Sequence, residues 1–349
     1  MDPPWGYLRP CLRPARHPAG LRDAAIGSPI DSLVDSVRAD DRPGTGILHA
    51  GISFLPRLPG RHRGRLLQMK YLHSFHAGNF ADVHKHVTLL ALLTALKRKD
   101  KGFLYLETHA GRGSYDLESR TRATGNDARA LIDRLLAVPW VAPELQAYAD
   151  AVRTYRARTG KAAGYPGSPL IAIQALRPQD RAVLVELQPA EARALERAVS
   201  GHARVRVECG DGFQRLRAYL PPTERRGLLL IDPPFEETAD FQRATAAVVE
   251  ALQRFRSCVI AVWHPVKRER DAAAWRASFA RAVQAEILAC ELWIHPRDSR
   301  VALNGSGMLI VNPPYLIEER MREWLKELHA QLDTEGTGGW YARMLTRVA

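Results

Sequence analysis

In the stretch Leu228-Leu229-Leu230-Ile231-Asp232-Pro233-Pro234-Phe235, four apolar residues run without alternation into an acid, two prolines and an aromatic ring. An unbroken apolar run of this length reads as a parallel strand buried on both faces. The prolines end it, because they lack the N–H that a ladder needs. The strand end also carries chemistry. Asp232 can accept a hydrogen bond from an exocyclic amine, the Pro233 carbonyl on a stiff turn can accept a second, and Phe235 can stack on a planar base. A proline-terminated strand with no further role is the plain alternative, so the surroundings have to decide.

Working outward, the chain alternates strand and helix patterns. Ala81 to Lys99 reads as a helix with Asn79 as N-cap and a basic C-terminal end. Residues 102–107 read as a strand running into Thr108-His109-Ala110-Gly111-Arg112-Gly113. A strand followed by Gly-x-Gly lets the backbone approach a ligand, but the third glycine of a dinucleotide fingerprint is absent. The looser turn of an S-adenosylmethionine (SAM) site fits better. Residues 181–186 give a second strand ending in Glu186, placed to hold ribose hydroxyls, but far beyond the usual ~20 residues from the glycine turn. Roughly 116–163 therefore reads as a small helical insertion, with helices over 126–137 and 142–158. Ser168 as N-cap followed by Pro169 restarts the core.

Further strands are expected over 203–208, 228–231 and 257–263, with helices between them, and 285–294 and 306–311 read as a terminal strand pair. Asp211 follows the third strand, where it can meet a cofactor's adenine amine. The series is α/β: a doubly wound, mostly parallel, Rossmann-like sheet. Ligands of such sheets sit at the carboxyl ends of the strands. His109, Glu186, Asp211 and Asp232 all fall there.

Bulk properties agree with a globular, polyanion-binding protein. Hydrophobic residues make up 46% and the formal charge is +12, which suits contacts to nucleic-acid phosphates. No apolar run has the length of a membrane span, and no secretory signal precedes the core. The four cysteines are scattered, with no CxxC pair, which argues against a zinc ribbon or a disulfide framework and for the cytoplasm. Residues 1–68 are rich in Arg and Pro, lack Lys and show no period. They read as a disordered basic tail or as sequence upstream of a true start at Met69, and the abrupt change of composition at Met69 favours the second.

Five strings then occur in order: Tyr71-x-His73-Ser-Phe-His76-Ala-Gly-Asn79, Asp82-Val-x-Lys85-His86, Thr108-His109-Ala-Gly111, Tyr165-Pro-Gly-Ser168-Pro-Leu and Asp232-Pro-Pro-Phe235. Over about Met69 to Arg347 the chain resembles the ribosomal RNA large subunit methyltransferase J family. The resemblance implies a Rossmann-like class I SAM-dependent methyltransferase fold and an adenine-N6 methyltransferase acting on 23S rRNA, naked or in an assembling large subunit, and releasing S-adenosylhomocysteine. It implies that Asp232, with Pro233, Pro234 and Phe235, orients the adenine amine. It implies SAM contacts at His86, His109, Ser168, Glu186, Asp211 and Gly212. Tyr71 and His73 would lie in a mobile segment closing over the target adenosine, with Lys85 near the site. The family often has Tyr at the position of Phe235; stacking survives that change, a hydroxyl hydrogen bond does not.

The amine is a poor nucleophile because its lone pair is delocalised into the ring. Acceptors at Asp232 and Pro233 would favour a pyramidal nitrogen aimed at the sulfonium methyl. Direct transfer requires neither a metal nor a covalent enzyme intermediate, and the target base has to leave its stack to react. Several alternatives stay open. His73, His76, His84 and His86 could bind a metal, although His84 and His86, two apart on a helix, point to different faces. Asn312-Pro313-Pro314-Tyr315 is a second candidate for the amine-binding turn. Eight basic residues (Arg112, Arg215, Arg217, Arg225, Arg226, Lys267, Arg268 and Arg270) could form a phosphate-contacting rim. A DNA adenine methylase and an inactive RNA-binding module of the same fold are the rival functions; the lack of a separate base-reading domain counts against the first, and a calorimetric test of SAM binding discriminates the second. A monomer is expected.

Overall fold

A computed structural model describes residues 77–119, 128–297, 299, 301 and 303–347. The first element, α1 (Phe80–Lys97), is capped by the Asn79 side chain, which accepts from the Asp82 N–H at 2.9 Å. Then come β1 (Leu104–Glu107), β2 (Ser114–Asp116), α2 (Ala128–Ala137), α3 (Pro143–Thr159), β3 (Gly164–Pro166) and α4 (Ser168–Ala175). The series continues with β4 (Arg181–Glu186), α5 (Pro189–Ala198), β5 (Val205–Cys209), α6 (Gly212–Tyr219), β6 (Gly227–Ile231), α7 (Thr238–Arg254), β7 (Val259–Val266) and α8 (Glu269–Ala282). It closes with β8 (Ile287–Trp293), β9 (Gly305–Val311), α9 (Ile317–Leu332) and β10 (Gly339–Thr346).

Eight strands form one sheet in the order β10-β8-β9-β7-β6-β1-β4-β5. The run β7-β6-β1-β4-β5 is parallel throughout, whereas β9 runs antiparallel to both β7 and β8. The unbroken apolar run at β6 follows from its place in the middle. Leu228 and Leu230 enter the core shared with α1, α3, α4 and α9. Leu229 and Ile231 enter the opposite core, shared with α6, α7 and α8. Both faces are covered by helices, so successive side chains must all be apolar.

Several details depart from the sequence reading. The N-cap of α4 is Gly167, and Ser168 is the first helical residue, which frees its hydroxyl for another partner. The fifth strand continues through His264-Pro265 to Val266. Its ladder to β6 stops at Val262, so the remaining residues, Pro265 included, have a free flank there, where a missing N–H is tolerated. The pair β2–β3 was not expected. It places Tyr115 opposite Tyr165 and brackets α2 and α3. Neither α9 nor β10 was expected; α9 buries Ile317, Met321, Trp324, Leu325, Leu328 and Leu332 on one stripe, and β10 pairs with β8 at the sheet edge. No helix among the described residues is long and apolar enough to cross a membrane.

Candidate active site

The strand order reverses between β1 and β6, whose carboxyl ends are the place where open α/β sheets bind ligands. A cleft of about 320 Å³ opens there, and Lys85, His86, His109, Ser168, Asp232 and Phe235 are among its walls. An adjoining groove of about 130 Å³ is lined by His109, Glu186, Asp211, Gly212 and Pro233, among others. The two share His109, Pro234 and Glu236. Every site residue expected from the sequence that falls within the described residues thus lies on one continuous depression. Tyr71 and His73 lie outside the described residues.

Asp232 does not stand alone. The Lys85 ammonium, one helix turn into α1, donates to Asp232 Oδ2 at 2.7 Å and pairs with Asp82 Oδ1 at 2.7 Å. Burial opposes a charged Lys85, but the Asp232 and Asp82 carboxylates outweigh it and push its pKa well above the usual lysine range. Burial likewise works against the Asp82 carboxylate, but Lys85 and the Gly78 N–H hold it well below the usual range. Lys85 is therefore a fixed cation that orients Asp232. It occupies Oδ2, which leaves Oδ1 as the acceptor available to an incoming amine. Neither Asp82 nor this direct ion pair was foreseen; the Asp82-x-x-Lys85 spacing, which places both residues on one helix face, was the available signal.

Beneath them Glu107, the last residue of β1, is fully buried. It accepts from the Ser168 hydroxyl at 2.5 Å and the Tyr105 hydroxyl at 2.8 Å. Burial pushes its carboxyl up to about 8, although both hydroxyls pull the other way. A carboxyl raised in the folded state leaves stability intact below its unfolded value of about 4.3. Stability is then lost as pH rises towards about 8, because the unfolded chain ionises first. Glu107→Gln is expected to flatten that loss, so that the variant gains stability relative to the parent between pH 5 and about 8, as read by chemical unfolding at stepped pH.

The cofactor side is built from backbone. Glu186 accepts from the Gly111 N–H at 2.8 Å through one oxygen and from the Gln188 N–H at 2.7 Å through the other. Gly111 has φ of 64°, a conformation that favours glycine, so Glu186 locks the expected glycine turn. Asp211 caps α6 through the Phe213 N–H at 2.9 Å and pairs with Arg243 at 2.9 Å. A Cβ on Gly212 would lie 1.9 Å from the Thr108 carbonyl oxygen, so only glycine lets α6 start this close to β1. His86 is 1% exposed, and burial pushes its pKa down to about 3, so the ring is neutral. Its Nδ1 meets the Tyr165 hydroxyl at 3.0 Å, and its Nε2 has no hydrogen-bond partner. A buried polar atom left over on a cleft wall, in a depression that also holds a glycine turn and two strand-end carboxylates, fits a polar nucleoside cofactor.

Phe235 differs from the expectation of a ring free to stack. It is 2% exposed and packs on Phe241 at 4.5 Å, Trp263 at 5.9 Å and Trp275 at 6.2 Å. Its φ of 50° turns the chain so that the ring enters this cluster while still bordering the cleft. Trp263, not singled out in the sequence, also borders the cleft; its indole N–H donates to Ser306 at 2.9 Å and Lys85 lies 6.0 Å from its ring.

Of the alternative metal-binding histidines, His73 and His76 lie outside the described residues. His84 contacts Ser306 and Cys290 while His86 contacts Tyr165, so the two diverge. Among the described residues no cluster of three or more His, Cys, Asp or Glu could hold a metal. Asn312 follows β9, which runs antiparallel, and so lies at the opposite end of the sheet from Asp232. Of the basic rim, Lys267 borders the cleft, Arg225 and Arg226 lie at the opposite end of β6, and Arg112, Arg215, Arg217 and Arg268 pair with carboxylates.

A family model described as Ribosomal RNA large subunit methyltransferase D, RlmJ, matches residues 100–346. A relative from Escherichia coli named Ribosomal RNA large subunit methyltransferase J is 40% identical over 270 residues, which cover 77% of this chain and 96% of the relative. One of the same name from Haemophilus influenzae is 39% identical over 279 residues, covering 80% of this chain and 99% of the relative. A solved structure, protein LPL1258 from Legionella pneumophila, is 33% identical with a TM-score of 0.67, covering 77% of this chain and 98% of that one.

Proposed function

The chain belongs to the ribosomal RNA large subunit methyltransferase J family, and from that membership we propose that it transfers a methyl group from SAM to the N6 amine of one adenine in 23S rRNA. The observation that carries this reading is the Asp232-Pro233-Pro234-Phe235 turn at the end of β6, its acid pinned by Lys85 on the wall of the cleft.

Bound along the groove, SAM would supply an electrophilic methyl on a sulfonium. Gly111 turns the chain beside it, and Gly212 lets α6 start close against the end of β1. In this reading Glu186 would accept from ribose hydroxyls and Asp211 from the adenine amine, with His109 at the junction with the target side and His86 and Ser168 on the cleft wall beyond it. Asp232 Oδ1 and the Pro233 carbonyl accept from the target amine and aim its lone pair. Lys85 keeps Oδ2 occupied, so the carboxylate cannot rotate to present a different face. The C–S bond breaks as the C–N bond forms, S-adenosylhomocysteine leaves, and the proton shed by the methylated amine passes to solvent; Lys85, pushed well above its usual range, stays a fixed cation and takes no part in that transfer. Phe235 and Trp263 border the space for the flipped base.

We further read α2 and α3, held between β2 and β3, as an insertion into a methyltransferase domain spanning 69–349, acting as a monomer in the cytoplasm. Nucleoside mass spectrometry of 23S rRNA from a deletion strain tests the function. One N6-methyladenosine should disappear and return on complementation; an unchanged nucleoside profile contradicts the reading.

A further inference from the structure

The Asn312-Pro313-Pro314-Tyr315 string has no place at the cleft, yet it is built with care. It lies at the edge of the sheet where β6 and β7 begin and β9 ends. A groove of about 550 Å³ opens there, with Arg98 and Lys99 after α1 on one wall, Arg225 and Arg226 before β6 on another, and Tyr315 beside them. No carboxylate lines it among the described residues. Arg98, Lys99 and Arg225 are exposed and make no ion pair among the described residues, unlike Arg217, Arg254 and Arg320 elsewhere on the surface. Arg226 is committed to the carbonyls of Leu96 and Lys101, which ties the end of α1 to this wall.

Tyr315 is 81% exposed. Its turn is nevertheless rigid. The Asn312 amide donates to the carbonyls of Arg256 and Cys258, both at 2.8 Å, and two prolines follow. Asn312 and Leu316 have φ of 52° and 63°, and Arg225 across the groove has φ of 52°. The remaining described non-glycine residue with positive φ is Phe235, in the cleft. Such backbone persists where its surroundings hold it, and it gathers at functional sites. An aromatic ring fixed outward in water, beside unneutralised cations, is the pattern that binds single-stranded nucleic acid by stacking and phosphate contact.

We propose that this groove is a second RNA-binding surface, in which Tyr315 stacks on a base of a single-stranded segment while Arg98, Lys99 and Arg225 hold its phosphates. The proposal rests on ribosomal RNA being the substrate. The groove and the cleft lie at opposite ends of β6, about 17 Å apart through the sheet at the usual rise per residue. The bound segment is therefore a different part of the substrate from the target nucleotide, and the groove contributes affinity rather than chemistry.

The test is filter binding of the full-length protein to deproteinised 23S rRNA across a salt series, with methyl transfer measured in parallel. Tyr315→Ala should weaken binding about 5- to 100-fold without changing the salt slope, and Tyr315→Phe should bind as the parent does. The double variant Arg98→Glu, Arg225→Glu should weaken binding roughly tenfold or more and lower the slope of log K against log salt by about 1.4, two single-strand phosphate contacts. In each variant kcat at saturating RNA should stay within about twofold of the parent, since the groove is remote from the reacting atoms. Parental affinity in both Tyr315→Ala and the double variant overturns the proposal, and shows that the groove serves a protein partner or none. A parent that binds the RNA with these dependences but transfers no methyl group overturns the substrate reading alone; a parent that does not bind overturns both.

Discussion

Asp232→Ala is expected to reduce methyl transfer at least about a thousandfold while leaving SAM binding within a few-fold of the parent. The loss of one positioned hydrogen-bonding group at a reacting centre typically lowers kcat by about 10²–10³. Here the lost group also orients the nucleophile, which adds an alignment contribution. The cofactor side should be spared, because its contacts come from other strands: Glu186 holds the Gly111 turn and Asp211 caps α6. Lys85 keeps Asp82 as a partner at 2.7 Å, so the variant does not strand a buried cation and should fold. Isothermal calorimetry with SAM, alongside single-turnover transfer to rRNA, separates the two effects. Transfer at the parental rate removes Asp232 from the mechanism.

Lys85→Met is expected to damage both stability and activity. It leaves the buried Asp232 and the partly buried Asp82 as neighbouring acids with no cation between them. Removing one partner of a buried ion pair typically costs about 3–5 kcal/mol. For a chain of this size that lowers Tm by roughly 4–8 °C. Transfer should fall by about tenfold or more beyond any loss of folded protein, because Asp232 Oδ2 loses the contact that fixes the carboxylate. Lys85→Arg should restore part of the stability, since the charge is kept, but little of the rate, because a planar fork cannot take the position of a compact ammonium. Differential scanning calorimetry and transfer assays on the two variants check this. Parental stability in Lys85→Met contradicts the role given to the triad.

The sequence carried the sheet well where the physics is local. Leu228 to Ile231 could be apolar on every residue only in a strand covered on both sides, and the structure sends alternate residues into two cores. The acids Glu186 and Asp232 were legible because each closes an apolar run, at the end of β4 and just after β6. What escaped was long-range. Lys85 and Asp232 are 147 residues apart, and no local pattern encodes their contact. The burial of Phe235 depends on Phe241 and Trp275, which α7 and α8 bring to it. The antiparallel direction of β9 did leave a trace: residues 294–304 form a link too short to hold a crossover helix. That direction carries Asn312 away from the cleft. The periodicity of α9 was equally present, with apolar residues at 317, 321, 324, 325 and 328. In β10, by contrast, residues 339–346 are mostly half-exposed and give little alternation to read.

The central claim is most directly tested by incubating the purified protein with methyl-labelled SAM and 23S rRNA from a strain lacking this enzyme, then digesting the RNA to nucleosides for mass spectrometry. The account predicts label in N6-methyladenosine, close to one methyl per rRNA molecule, and none with Asp232→Ala. Label in a ribose methyl, in a ring-carbon methyl or in another base, or no label at all, would contradict it.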